Sequence, residues 1–316
     1  MKLNMNKQAR AALCAGMLAA TALLAACGGG KQETTFVAGR VIALGDEFSV
    51  INADGSKYSV NALVSGSTTQ LDCVSSPVWI QSVAALYGLV FPQCAGTVSD
   101  PASRIYAVNG AVVADLSGQI DAQQNNGGFL PNDLVTVLVG ANDVVAQFRQ
   151  YPAVGEDQLT ANLTIAGAAL ATQVNRIANL GAKVLIVSIP DMGLTPFAGD
   201  RSAGSTDGNP ALLSRLSNRF NDALLSGLLN DGHKIGLVQL DEYLKSIDTA
   251  ARVGRGSYNN TALAACNVAL PKCTTNTLVG DAVNSVWLWA DARRLGARGQ
   301  ADLASLATSR ARNNPF

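Results

Sequence analysis

The chain has 316 residues, 48% of them hydrophobic and 15% charged, a composition that supplies ample core and excludes a disordered protein. Lys and Arg together number 23, as do Asp and Glu; with no basic stripe to break that balance, electrostatic capture of nucleic acid is excluded as well. One large domain or two ordinary ones fit this length.

The first 26 residues read as a signal peptide. Lys2, Lys7 and Arg10 form a positive n-region, and Ala11 to Ala26 an apolar run of about 16 residues. That is shorter than the ~20 a spanning helix needs and suits an h-region. The run ends in Leu24-Ala-Ala-Cys27, which resembles the bacterial lipobox. The resemblance implies cleavage before Cys27 and lipid attachment to it, with membrane contact through that anchor. An ordinary signal peptide cut after Ala26 is the other reading. Gly28, Gly29 and Gly30 open a flexible tether over 27–35. Gly28 stands where lipoproteins retained in the inner membrane usually carry aspartate, so the expected location is the outer membrane of a Gram-negative bacterium, on its periplasmic or surface face. Without Lys2, Lys7 and Arg10, 20 basic side chains face 23 acidic ones, a balance of −3.

Cys14 leaves with the signal peptide and Cys27 belongs to the lipobox, so Cys73, Cys94, Cys266 and Cys273 remain. An oxidising periplasm favours two disulfides, and local pairing (73 with 94, 266 with 273) is the simplest connectivity. A four-cysteine zinc site is the rival, but no Cys-x-x-Cys pair supports it.

After the tether, Phe36 to Asp46 reads as a buried strand ending in the Gly45-Asp46 turn. Residues 52–72, rich in Asn, Ser, Gly and Thr, suggest a loop or short hairpin. Pro77 to Gly88 has apolar residues at helical spacing and a glycine stop. Arg104 to Gly110 is a second strand, and Asp115 to Asn126 a helix. Asp133 to Asp143 is the clearest strand, again closing in a polar turn. A long helix covers 158–180, followed by a strand over Lys183–Pro190. A loop over 194–208 and an amphipathic helix over 210–229 come next. His233 to Leu240 is the fifth strand, with a short helix near Glu242 to Ile247. Residues 251–284 read as loop, and Gly296 to Ser309 as the last helix. Strands alternate with helices throughout, which implies a parallel sheet covered on both faces and a single domain over 36–316.

In such sheets ligands gather beyond the carboxyl ends of the strands, and the blocks there carry a resemblance over nearly the whole mature chain. These blocks are Gly45-Asp46, Ala107-Val-Asn-Gly-Ala111, Gly140-Ala-Asn-Asp143, Ile189-Pro-Asp-Met-Gly-Leu-Thr-Pro196, Arg219-Phe-Asn-Asp-Ala-Leu224 and Trp287-Leu-Trp-Ala-Asp-Ala-Arg-Arg-Leu-Gly296. In this order they resemble the SGNH (GDSL-type) hydrolase family of esterases and lipases. The resemblance implies a three-layer α/β/α sandwich with a flavodoxin-like five-stranded parallel sheet. In an intact member, serine attacks an ester carbonyl, histidine takes its proton and aspartate orients the histidine. A glycine N–H and an asparagine side chain help to bind the oxyanion.

Carried over position by position, the chain keeps Gly110, Asn142 and Asp291, but has Glu47 in place of the serine and Arg294 in place of the histidine. Glutamate cannot form the usual acyl-enzyme, and arginine cannot act as a base near neutral pH. The two replacements are complementary in charge, so a Glu47–Arg294 ion pair is expected, with Asp291 on the guanidinium's other side and Gly110 and Asn142 donating to Glu47. The expected function is therefore binding or structural contact in the cell envelope, with an acyl ester, lipid or glycan as ligand. The alternative is an active hydrolase of acyl esters or lipids with an unconventional nucleophile. Ser49, two residues beyond Glu47, would need a shifted turn and has no base in view. A glycosidase-like Glu47–Asp291 pair would be kept ionised by Arg294 and lack a general acid. The lone histidine, His233, falls at the far end of the sheet. Asp46 and Asp143 are expected to order strand-end turns, and Trp79, Trp287 and Trp289 to pack the core and site wall. No cofactor fingerprint or metal-ligand cluster is present in the sequence, and a monomer is expected.

Overall fold

The computed structural model describes residues 35–199 and 209–316. The expected signal peptide and Cys27 lie outside these residues, as do nearly all of the tether and the end of the 194–208 loop. Phe36–Phe316 is one compact unit, and among the described residues no helix is long and apolar enough to cross a membrane.

In chain order, β1 (Arg40–Gly45) leads to a small antiparallel pair, β2 (Ala62–Leu63) with β3 (Leu71–Asp72), and then to α1 (Trp79–Leu86). Next come β4 (Arg104–Ile105), α2 (Leu116–Asn125), β5 (Asp133–Leu138), α3 (Ala141–Phe148) and α4 (Glu156–Asn179). The second half holds β6 (Lys183–Val187), α5 (Pro196–Gly199), α6 (Pro210–Gly227), β7 (Ile235–Val238), α7 (Leu240–Arg252), β8 (Asn260–Ala264), β9 (Trp287–Trp289) and α8 (Ala297–Asn313). Five of these strands make one parallel sheet in the order β4-β1-β5-β6-β7. That is the flavodoxin-like order, with its switch point beside β1.

Burial explains the strand sequences. All six residues of β5 are buried, and all of β1 after Arg40, as strands covered on both faces require. Arg40 and Asp133 are paired in register at the start of β1 and β5. The guanidinium grips the buried carboxylate in a two-pronged contact of 2.7 and 2.6 Å, so a charge inside the sheet is neutralised where it enters. On one face α1 packs against α8, and the two lie against β1, β6 and β7; on the other, α2 and α4 cover β1 and β6, and α6 packs on α4. The fold is thus the three-layer sandwich expected. Cys73 pairs with Cys94 and Cys266 with Cys273.

Several boundaries differ from the sequence reading. The second strand keeps only Arg104–Ile105, because the chain leaves the sheet edge to form the glycine loop. A helix, α3, starts at Ala141 where a polar turn was expected; its single buried stripe of Ala141, Val144 and Val145 is too short to announce itself as periodicity. Helix α7 runs to Arg252, and the supposed loop over 251–284 includes β8, which pairs in parallel with β9.

Candidate active site

Sheet register brings the site together. Gly45 is paired with Leu138, and Asp46 N–H donates to the Leu138 carbonyl at 3.0 Å, so the turns after β1 and β5 emerge side by side. Gly45 has φ +121°, and a Cβ there would lie 2.0 Å from the Leu138 oxygen, so only glycine fits this crossing. On the other flank Val108 N–H donates to the Gly45 carbonyl at 3.0 Å, which carries the Asn109-Gly110 turn up to Glu47. Asp46 caps the short 3-10 turn Glu47–Ser49 by accepting from Phe48 N–H. Asp143, in the first turn of α3, accepts from Val113 N–H at 3.1 Å and holds the glycine loop against that helix.

The last participants come from the loop between β9 and α8. Ala290 N–H donates to the Arg294 carbonyl at 2.8 Å, closing a tight loop. Inside it Asp291 Oδ1 accepts from the N–H groups of Arg293 (2.8 Å) and Arg294 (2.7 Å). One carboxylate oxygen thus orders the loop and leaves the other free for a side chain.

Glu47 is the hub. Its Oε2 accepts from Gly110 N–H at 2.9 Å and from Asn142 Nδ2 at 3.0 Å. Oε1 lies 2.7 Å from Arg294 Nη2 and 2.9 Å from Nε. The opposite edge of that guanidinium meets Asp291 Oδ2 at 2.8 Å. Side-chain exposure is 3% for Glu47 and 16% for Arg294, so little water competes. Burial by itself would raise the Glu47 carboxyl, but Arg294 and the two N–H donors outweigh it and hold the group below its ordinary value. Burial likewise opposes the charge on Arg294, while Asp291 and Glu47 restore it and leave the guanidinium raised. Asp46, fully buried beside Glu47, is pushed well up. Burial raises Asp143 to about 6.

The structure therefore brings Glu47, Gly110, Asn142, Asp291 and Arg294 into one cluster. It leaves the other candidates apart. Ser49 is buried and accepts from Trp79 Nε1 at 3.2 Å, so its hydroxyl faces the core and not the cleft. His233 is exposed in the turn before β7. Trp79, Trp287 and Trp289 are buried. Among the described residues no group of three or more His, Cys, Asp or Glu could hold a metal ion.

Two participants stand in the quoted motif blocks but received no role from the sequence. Arg293 Nη1 lies 3.2 Å from Asn142 Oδ1 and fixes which way that amide points; the doubled arginine was its only signal. Asn221, on α6, clamps the Ile189 backbone with both ends of its amide, at 3.1 and 3.0 Å, and Phe220 beside it fills the space over Gly140. Beside the cluster a groove of about 450 Å³ is lined by Tyr106, Val108, Asn109, Gly110, Ala111 and Gln119, among others.

The sequence profile of the GDSL-like lipase/acylhydrolase family matches residues 55–267, a span that contains Gly110 and Asn142 but neither Glu47 nor Asp291 and Arg294. No curated protein sequence matches the chain. Among solved structures, a phospholipase A1 from Streptomyces albidoflavus NA297 is similar at 18% identity, over 87% of this chain and 100% of that one, with a TM-score of 0.47. A lipase from a goat rumen metagenome shares 10% identity over 88% and 99%, with a TM-score of 0.49. A catalytic mutant of an acetylxylan esterase from Geobacillus stearothermophilus shares 13% over 88% and 96%, with a TM-score of 0.46.

Proposed function

The chain belongs to the GDSL-like lipase/acylhydrolase family, and from that premise we propose that it is a lipid-anchored member whose ester-cleaving apparatus is replaced by fixed charges, so that it acts by binding. The observation that carries this reading is the position of Glu47 Oε2. Two donors that would stabilise an ester oxyanion, Gly110 N–H and Asn142 Nδ2, converge on this one oxygen at 2.9 and 3.0 Å. The protein's own carboxylate occupies the place a substrate oxygen would need.

Electrostatics adds to the steric argument. A second negative charge about 4 Å from Glu47 would be repelled by about 4 kcal/mol at an effective dielectric constant of about 20, equivalent to about a thousandfold in rate. Among the described residues no base replaces the missing histidine: Arg294 is held charged by two carboxylates, and Asp291 is engaged by that guanidinium and by two backbone N–H groups. The mutual saturation of the cluster also offsets the cost of burying its charges.

The envelope location rests on the first 27 residues, with their basic n-region, short apolar run and Leu-Ala-Ala-Cys27 ending. Together these support export, lipidation of Cys27 and placement at the outer membrane, where two disulfides would persist.

The test is an assay of the purified protein with p-nitrophenyl acetate and butyrate, beside the Glu47→Ser/Arg294→His double variant. The unaltered protein should be inert, and the double variant should gain turnover sensitive to serine-directed inhibitors. Inhibitor-sensitive turnover by the unaltered protein would overturn the reading. Mass spectrometry of the membrane-extracted protein tests the anchor: a diacylglyceryl group on Cys27 is expected, and a free N-terminus at that residue without lipid would refute it.

A further inference from the structure

Arg293 and Arg294 are sequence neighbours with opposite surroundings. Arg294 is saturated by two carboxylates. Among the described residues the Arg293 guanidinium donates only to the neutral Oδ1 of Asn142, at 3.2 Å, through one of its five N–H groups, and makes no ion pair. Burial holds its guanidinium below the ordinary value, Arg294 acts in the same direction, Glu47 and Asp291 act against them, and Arg149 adds a smaller push downward. The carboxylates in reach, Glu47 and Asp291, are already committed to Arg294.

Arg149 adds a second cation. It stands at the C-terminal end of α3, seven residues beyond Asn142 and so on the same helix face. It is exposed and has no ion pair among the described residues. Among the described residues neither guanidinium has a carboxylate partner, and the charge of Arg149 acts on Arg293 from the same helix face as Asn142. Asn142 cannot turn to offer a donor there. Its NH2 is used by Glu47 Oε2 and by the Ala111 carbonyl at 3.1 Å, which leaves only the oxygen facing Arg293.

We propose that Arg293, supported by Arg149, is the recognition element for an oxyanion, either a carboxylate or a phosphate monoester, held at the mouth of the filled pocket. This inference rests on the non-catalytic reading above. A planar guanidinium presents paired donors that match either group in a two-pronged contact. Because Glu47 fills the oxyanion hole, the ligand's charge sits outside it, on the fork of Arg293. A neutral ester lacks the charge that would offset the partial burial of Arg293, so the site selects the acid over the ester.

The experiment is isothermal titration calorimetry on the full chain in neutral detergent, with acetate, butyrate and inorganic phosphate as probes and butyramide as the neutral isostere of butyrate. Anions should bind, butyramide should not, and added salt should weaken binding. Arg293→Gln should weaken binding about 10- to 100-fold, the worth of a charge-assisted hydrogen bond, with Arg293→Lys in between. Arg149→Gln, at an exposed position where folding is not at stake, should weaken it a few-fold and flatten the salt dependence. Butyrate binding tighter than acetate and phosphate would identify an amphiphilic carboxylate, and phosphate binding tightest would identify a phosphate group; either order supports the proposal. No binding of any anion at millimolar concentration, equal binding of butyramide, or unchanged affinity in both arginine variants would overturn it. The two readings fail separately. Ester turnover by the unaltered protein defeats the non-catalytic reading, whereas an inert protein that ignores anions defeats only this inference.

Discussion

Replacing Arg294 by Met tests the physics of the cluster most directly. The variant keeps much of the side-chain volume but removes the contacts at 2.7 and 2.9 Å to Glu47 and at 2.8 Å to Asp291. Asp291, with 21% side-chain exposure, can turn to water. Glu47, with 3%, cannot, and among the described residues keeps chiefly Gly110 N–H and Asn142 Nδ2. Stranding one partner of a buried pair costs about 3–5 kcal/mol, because an uncompensated charge stays inside. The loss must also depend on pH. In the unaltered protein the Glu47 carboxyl is held below its ordinary value, so its contribution is present above that ordinary value and is lost as pH falls through the depressed one. Without Arg294, burial raises the group, the folded state binds the proton more tightly than the unfolded chain, and stability falls as pH rises through and above the ordinary carboxylate range. Urea unfolding followed by circular dichroism at pH 8 and pH 5 should show a larger loss at pH 8. The Glu47→Gln/Arg294→Met double variant, which removes both charges, should recover more than half of it. A loss below about 1 kcal/mol at pH 8, or equal losses at both pH values, would refute the view that burial makes Glu47 depend on its cation.

Three further outcomes are expected. Asp143, raised to about 6 by burial, should make stability fall between about pH 4 and pH 6 as the unfolded chain releases its proton first, by at most about 3 kcal/mol; Asp143→Asn should flatten that slope, and an unchanged slope would count against the assignment. Gly140 has φ +127°, and a Cβ there would lie 2.3 Å from the Phe220 ring, so Gly140→Ala should cost at least about 2 kcal/mol in urea unfolding, whereas Gly181→Ala, with a positive φ but open space, should cost less. Lys57 is fully buried and donates to the carbonyls of Cys73, Ser75 and Ser76 at 2.9–3.1 Å; Lys57→Met should cost about 2–4 kcal/mol through three unanswered carbonyls, and a thermal melt within about 1 °C of the unaltered protein's would contradict it.

The sequence by itself determined the parallel sheet and its five strands, because β1 and β5 are buried on both faces and so read as largely apolar runs with abrupt polar ends. It also named the members of the cluster, since the blocks at the strand ends single out Glu47, Gly110, Asn142, Asp291 and Arg294, which the structure brings together. Local cysteine pairing was legible for a similar reason: partners 21 and 7 residues apart need no long-range information. Tertiary structure alone decided the rest. The convergence of Gly110 N–H and Asn142 Nδ2 on a single oxygen follows from register, from Gly45 opposite Leu138 and Val108 bonded to Gly45, and one strand's sequence does not state how it aligns with another. Helix α3 was hidden because eight residues with one buried stripe are too few to separate helix from turn. The contrast between Arg294, paired with two carboxylates, and Arg293, set against a neutral amide, is invisible in the letters Arg-Arg. It arises because Asp291 closes its loop so that one guanidinium faces Glu47 and the next faces Asn142.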